Sequence, residues 1–493
     1  MPVDTKLNVF SGEDGLKDFY DPDKNIPVPL VELPARLNPF REDGVRIYAK
    51  LMSHLPAANV KSLPALNMVQ RAQENGDINP DTHTIVEYSS GSTVISLGII
   101  ANILGIPNVK AFLSNKTSQA KLQLLRFFGL DLTLFGGPWQ PVQCDPNGGI
   151  YAATLNGEEH GVYNPDQYTN NENYKAHMRW TGPQIHAQLP QISVFAASMG
   201  TGGTMTGTSL YLKSVRPSVT GLGVLSAPGA RVPGPRNYNL LVPVEFPWRD
   251  SMDAMEEVDA PSSYEKSLEL CRNGLLVGPS SGLTLAGVLN FLKKRKDANT
   301  LDALRNESGE IPCVFICADT PSQYISEYFT TLGPEFFRPI TNEELIATDL
   351  YPYNIDWELQ PEKAHQTLFP TNGKPIAGTF VLDIRDEAAF KASHVPGSHN
   401  LDIGADKLPN PYKDPPTLIR LFDILEARFA KTDPTYGLLL RAERVIILSP
   451  DGNVAKLACS ILRNRNLDAY HLVDGVQGLK VNGLWGSRPW AHL

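Results

Sequence analysis

Residues 192–216 read ISVFAASMGTGGTMTGTSLYLKSVR. A short strand-like run, ISVFAAS, enters a glycine-rich turn, Gly200-Thr201-Gly202-Gly203-Thr204, and leaves it as the helical stretch MTGTSLYLKSVR. A second strand-like run, VTGLGVLSA (219–227), follows. Strand, helix and strand in this rhythm predict a parallel sheet with helices on its faces. The same unit recurs upstream, where TIVEYSS (84–90), NVKAFLS (108–114) and LDLTLFG (130–136) alternate with the helical runs STVISLGIIANILG and SQAKLQLLRFFG. Downstream, IPCVFICAD (311–319) supplies a further buried strand. The fold class is therefore α/β, and its ligands are expected at the carboxyl ends of strands, in the turns after TIVEYSS and ISVFAAS.

The glycine turn suits an anion. Glycines let the backbone approach closely, and successive N–H groups at a helix start hold phosphate. Each hydrogen bond to a charged group contributes about 1.5–3 kcal/mol, so several together would anchor a cofactor phosphate. A dinucleotide fingerprint needs a third glycine where Met205 stands, and no Asp or Glu occurs between Gly200 and Glu245 to bind a ribose. The lysine-bearing nucleotide phosphate loop is absent from the sequence. A cofactor with one phosphate fits better.

Length and composition set the frame around this turn. At 493 residues the chain exceeds one ordinary core, and 42% hydrophobic with 20% charged residues describes a globular protein. With 44 Lys+Arg against 53 Asp+Glu the net charge is −9, without a basic run, so nucleic acid is not an expected partner. No uncharged apolar run reaches the ~20 residues of a membrane span. The start, MPVDTKLNVFSGEDGLKDFYD, carries no export or organelle signal, and a cytoplasmic location is expected. Five scattered cysteines suggest a reducing compartment. Cys313 and Cys317, four apart on one strand, lie about 13 Å from each other, too far for a disulfide or a shared metal. No metal site is expected.

Four groups of motifs, in order, resemble the fold-type II pyridoxal-phosphate enzymes: cysteine synthase, cystathionine β-synthase and the tryptophan synthase β chain. IPVPLVELPARLNPF (26–40) is similar to the family's "TPL" opening, and IYAKLMSHLPAANVKSLPALNMV (47–69) to its "KLE…NPTGSVKDR" stretch. Ser89-Ser90-Gly91-Ser92-Thr93 resembles the "TSGNT" substrate loop, DQYTNNEN (166–173) resembles "QFxNxxN", and TGPQI (181–185) resembles "TGPEI". GLLVGPSSGL (274–283) is similar to "GILAGISSGA". The resemblance implies pyridoxal 5'-phosphate as cofactor and Lys61 as the catalytic, cofactor-bound lysine. It also implies Gly200 to Thr204 as the phosphate cradle, Ser92 beside the phenolic oxygen and Ser280 against the ring nitrogen. Ser89, Ser90, Thr93 and Gln167 would take the substrate carboxylate. A desolvated lysine has lowered basicity and suits both imine formation and proton transfer. Three positions depart from the family: Asn59, Leu63 and Ser92 stand where it has Ser, Arg and Asn. The Ser92 change removes an amide from beside the cofactor, which points to altered specificity.

The expected activity is β-replacement or β-elimination on a small L-amino acid such as O-acetylserine, cysteine or serine. Cysteine desulfhydration and serine or threonine dehydration are alternatives, and a regulatory scaffold built from degenerate enzyme folds is an alternative of another class. The family implies a homodimer.

The last third carries a second resemblance. FVLDIRDEAAFKASHVPGSHNLDI (380–403) and HLVDGVQGLKVNGLW (471–485) are similar to the characteristic stretches of a rhodanese domain. There Asp383, Arg385, His394 and Gly397 are mostly structural. Where that family has its sulfur-carrying cysteine, RVIILSPDGNVAKLA (444–458) has Ser449, and a hydroxyl cannot form a persulfide. Cys459, on an apolar helix, is expected to be a core residue. The organisation expected is a two-lobed cofactor-binding domain over 1–335, a Pro-punctuated linker over 336–375, and a smaller, non-catalytic α/β domain over 376–493 that binds an anion or a protein partner or contacts the catalytic domain.

Overall fold

The computed structural model describes residues 8–89, 91–138, 140–370, 374–404 and 411–485. The chain divides into two compact units, Met1–Phe337 and Arg338–Leu493. In the first, ten strands run in chain order as β1 (Leu30–Glu32), β2 (Val45–Leu51), β3 (Thr84–Tyr88), β4 (Asn108–Ser114), β5 (Asp131–Phe135), β6 (Val162–Tyr163), β7 (Val194–Ser198), β8 (Thr220–Ser226), β9 (Ala254–Val258) and β10 (Ile311–Cys317). They form two sheets and hence two lobes. One is fully parallel in the order β5–β4–β3–β6; the other has the order β1–β2–β10–β7–β8–β9, parallel except for β1.

The last strand in sequence lies inside the larger sheet. β10 pairs with β2 over seven residues and with β7 over three. All seven of its residues are buried, which is why IPCVFIC is continuous rather than alternating in hydrophobicity. Burying Val314, Phe315 and Ile316 contributes about 1.5–3 kcal/mol each. Cys313 and Cys317 are free and buried in this strand. Ser89 after β3, Ser198 at the end of β7 and Asp319 after β10 line one cavity, so both sheets deliver their strand ends to one region.

The second unit is a five-stranded parallel sheet of β11 (Glu358–Leu359), β12 (Thr379–Asp383), β13 (His399–Asn400), β14 (Arg444–Leu448) and β15 (Ala469–Leu472), in the order β11–β15–β14–β12–β13. Here the expected linker needs correction. Residues within 336–375 belong to this unit: β11 pairs with β15 through Glu358↔His471 and Leu359↔Leu472. The helix Pro361–Leu368 buries Ala364 and Leu368 in one core, and Leu345, Tyr351 and Trp357 pack against another. A two-residue edge strand between prolines leaves no periodicity to read, although it is enough to extend a sheet. The Arg385 guanidinium, buried, forks onto the Asp383 carboxylate and also donates to the Ser393 carbonyl at 2.9 Å. His394 stacks on Phe390 at 4.3 Å. These contacts are internal to the fold.

Candidate active site

Lys61 stands one residue before the helix Ser62–Asn75. Asn59 builds that start: its Oδ1 accepts the Lys61 N–H at 2.9 Å and the Ser96 hydroxyl at 3.1 Å, while its carbonyl accepts the Ser62 hydroxyl at 2.7 Å. The Val60 N–H donates to the Ala318 carbonyl at 2.7 Å, tying this corner to the end of β10. The Lys61 amine extends into a cavity and donates to Thr201 Oγ1 at 3.3 Å. Burial pushes it down to about 8, Arg236 acting in the same direction and Glu87 against it.

The wall opposite is the glycine turn. Its helix begins at Gly203, two residues earlier than the sequence suggests, with Gly202 as N-cap at φ +90°, a conformation that favours glycine. Among the described residues, the N–H groups of Gly200, Thr201 and Gly202 donate to no protein acceptor. Those of Gly203 and Thr204 belong to the helix's first turn, where intrahelical acceptors are lacking. A Cβ on Gly203 would stand 2.2 Å from Asn173 Oδ1, so a side chain there would displace the Asn173 amide. Asn173 Nδ2 meanwhile donates to Thr201 Oγ1 at 3.0 Å and to the Gln167 carbonyl at 2.6 Å. His177, fully buried, bridges Thr181 and Thr204 Oγ1 at 2.9 and 3.2 Å, and burial pushes its basicity down to about 3, so it is a neutral support under the turn.

The third wall is the start of the helix Ser92–Ile103. Ser89, Ser92, Thr93 and Gln167 all line the cavity. Thr93 Oγ1 donates to Gln167 Oε1 at 2.8 Å, and Gln167 Nε2 donates to the Tyr88 carbonyl at 2.9 Å. Glu87 holds this corner by accepting the backbone N–H groups of Tyr88 and Gln167 at 2.9 and 3.1 Å; burial pushes its carboxyl up to about 8. Ser280, in the first turn of the helix Pro279–Asp297, lines the cavity from the larger sheet. Every site residue expected from sequence thus meets in one place, except Ser90, which lies outside the described residues.

Several residues in or behind the cavity wall were not anticipated. Asn173 lies inside DQYTNNEN, the very stretch that pointed to Gln167, so its signal was present. Asp319 ends IPCVFICAD and follows a strand end, a position that parallel-sheet geometry marks for ligands. Arg236 had no signal. It is buried, stacks on the Tyr168 ring at 4.4 Å, and its Nη1 meets no acceptor. The described residues contain no group of three His, Cys, Asp or Glu side chains able to hold a metal and no helix long and apolar enough to cross a membrane.

Comparison with known proteins bears directly on this cavity. The family model "Pyridoxal-phosphate dependent enzyme" matches residues 23–302. The chain belongs to the pyridoxal-phosphate dependent enzyme family. A rhodanese-like domain model matches residues 368–481. The chain is 32% identical over 273 residues to cysteine synthase B of Salmonella typhimurium, covering 54% of this chain and 85% of that one. It is 29% identical over 281 residues to cystathionine beta-synthase of Saccharomyces cerevisiae, covering 52% and 54%. Among solved structures it is similar to an O-acetylserine dependent cystathionine beta-synthase from Helicobacter pylori, with TM-score 0.50 and 26% identity over 62% of this chain and 96% of that one. A hydrogen sulfide-producing enzyme from Fusobacterium nucleatum shares the fold, with TM-score 0.51 and 24% identity over 60% and 94%.

Pyridoxal phosphate is the cofactor of this pyridoxal-phosphate dependent enzyme, and the cavity fits it. The unpartnered N–H groups of the glycine turn suit a phosphate, and the Lys61 amine of lowered basicity across from them suits imine formation.

Proposed function

We propose that the first unit catalyses β-replacement or β-elimination on a small L-amino acid, O-acetylserine, cysteine or serine, in the manner of a cysteine synthase. The observation that carries this reading is the Lys61 amine, lowered to about 8 and 3.3 Å from Thr201 Oγ1 of the glycine turn. In it Lys61 holds the cofactor and moves the substrate α-proton, because an amine of that basicity exchanges a proton near neutral pH. Gly200 to Thr204 hold the phosphate, and Ser92 and Ser280 flank the ring. Ser89, Ser90 and Thr93 with Gln167 orient the substrate carboxylate at a helix N-terminus. The bound cofactor supplies the electron sink for α-proton loss, and this chain supplies orientation. Relatives named as cysteine synthase and cystathionine beta-synthase support a sulfur-related outcome. The test is colour and turnover. Purified wild type is expected to show the visible imine band and Lys61→Ala to lose it. O-acetylserine with sulfide, cysteine alone and serine alone then separate synthesis, desulfhydration and dehydration by product analysis. A wild type that stays colourless with added cofactor contradicts the reading.

The second unit, in this reading, does not carry sulfur. Ser449 follows β14 where a sulfurtransferase needs its thiolate, and its Oγ instead accepts the N–H groups of Gly452 and Ala455 at 3.0 and 3.4 Å. Cys459 offers no substitute: it is buried, its thiol donates to the Ala469 carbonyl at 3.3 Å, and burial pushes it up to about 12. The full chain is expected to transfer no sulfur from thiosulfate to cyanide above background. Native thiol labelling should mark the exposed Cys144 and leave Cys459 untouched. Measurable turnover would contradict this.

A further inference from the structure

Asp319 is a buried carboxylate at the junction of the three segments assigned to the cofactor. It lines the cavity two residues after the end of β10. Its carbonyl accepts the Gly278 N–H at 3.0 Å, two residues before Ser280, and its backbone forms a β-bridge with Asn59, two residues before Lys61. Ser92, of the third segment, lines the same cavity. Tyr324 Oη donates to Oδ2 at 2.6 Å and Gln323 Nε2 at 3.2 Å, while Oδ1 has no donor. That free oxygen lies against Gly278, where a Cβ would stand 2.1 Å away, so the carboxylate occupies space that only a glycine leaves. Lys121, itself buried, caps the Tyr324 ring at 4.5 Å. Hydroxyls alone do not make this side of the cavity.

Resting on the cofactor reading above, we propose that Asp319 is a positioning residue that, held by Tyr324, sets a negative charge beside the ring edge that Ser92 and Ser280 flank, biasing the protonation form of the bound cofactor. A carboxylate in a site of low dielectric favours the protonated form of a nearby nitrogen, and its hydrogen bonds are of the stronger, charge-assisted kind. Burial pushes Asp319 up to about 6, against Tyr324, Lys121 and Ser92. The groups facing it are Lys121 from the helix Gln119–Phe127, Tyr264 from the helix Ala260–Arg272, Tyr328 from the helix Ile325–Thr331, Tyr324, and Cys317 of β10. Lys121 is pushed down to about 8, and the phenols and the thiol lie above their ordinary values, so within this set Asp319 alone changes charge between pH 5 and 7.

The experiment is the absorption spectrum of the full-length holoenzyme from about pH 5 to 8.5, with cofactor content measured alongside. In wild type the ratio of visible to near-ultraviolet absorbance is expected to change with a midpoint near 6. Asp319→Asn should retain cofactor, lose that transition and show a ratio at least about twofold lower at pH 7.5. Asp319→Glu should restore the transition in part, and Tyr324→Phe should move the midpoint upward, since it removes a donor that favours the carboxylate. A purely structural role would change cofactor content without moving ratio or midpoint. A loaded Asp319→Asn protein with the wild-type ratio and midpoint overturns the proposal. If that variant does not fold, an unmoved midpoint in Tyr324→Phe overturns it. A colourless wild type overturns the cofactor reading as well, whereas a coloured one with unaltered variants overturns this inference alone.

Discussion

Arg236 shows how a single residue can report on a ligand. A buried guanidinium without a carboxylate partner is expensive to keep, and here one of its nitrogens has no acceptor at all. Its Nη2 reaches the Pro141 carbonyl only at 3.5 Å. The same side chain lines the cavity that holds Lys61 and Gln167, so an anionic group of the substrate is its natural partner. Replacing it by Leu removes an unsatisfied charge from the free protein and a charged hydrogen bond from the complex. Arg236→Leu is therefore expected to leave the unfolding midpoint unchanged or raised. The KM of the amino-acid substrate should rise about ten- to hundredfold, matching 1.5–3 kcal/mol for one such bond. A lowered midpoint with unaltered KM would assign Arg236 to structure instead.

At the scale of elements, the helix Gly203–Val215 joins the cradle to the core through two glycines with different duties. Gly203 faces Asn173, whose side chain can rotate away, whereas a Cβ on Gly207 would stand 1.9 Å from the Tyr174 carbonyl, a backbone atom that cannot. Gly203→Ala is thus expected to fold and to weaken cofactor affinity, read by absorbance titration. Gly207→Ala should lower unfolding stability by about 1–3 kcal/mol, as overpacking does. Equal effects on both quantities would refute the division. This element was legible in the sequence, since a glycine run between a strand and a helix marks a backbone left bare for an anion, and the strand–helix alternation pointed to the α/β class. What was not legible depends on distance. Arg236 lies far in sequence from the Lys61 and Gln167 it joins, Asp319 meets Asn59 and Gly278 only in the fold, and β11 is a strand only because β15 presents an edge to it. Local pattern registers none of these, because each acquires its role only when remote segments meet.

At the scale of the whole molecule, the cores argue for two folding units. The buried clusters of the first unit draw on residues up to Leu332, with Phe336 and Phe337 packed on the last of them. Those of the second begin with Leu359 and recruit Leu345, Tyr351 and Trp357. Hydrophobic burial is the main favourable term in folding, so a chain cut between two such sets leaves each with its own driving force. A cut at 345 or 375 would instead strip apolar residues from the second core and leave them exposed on the first fragment. Residues 1–337 expressed alone are expected to be soluble, to bind pyridoxal phosphate with the same visible band and to keep the kinetics of the full chain. Residues 338–493 should unfold cooperatively by themselves, and the full chain should show two calorimetric transitions, of which added cofactor raises only one. Loss of cofactor binding in 1–337, or a single transition that moves as a whole with cofactor, would mean that the second unit is part of the catalytic fold.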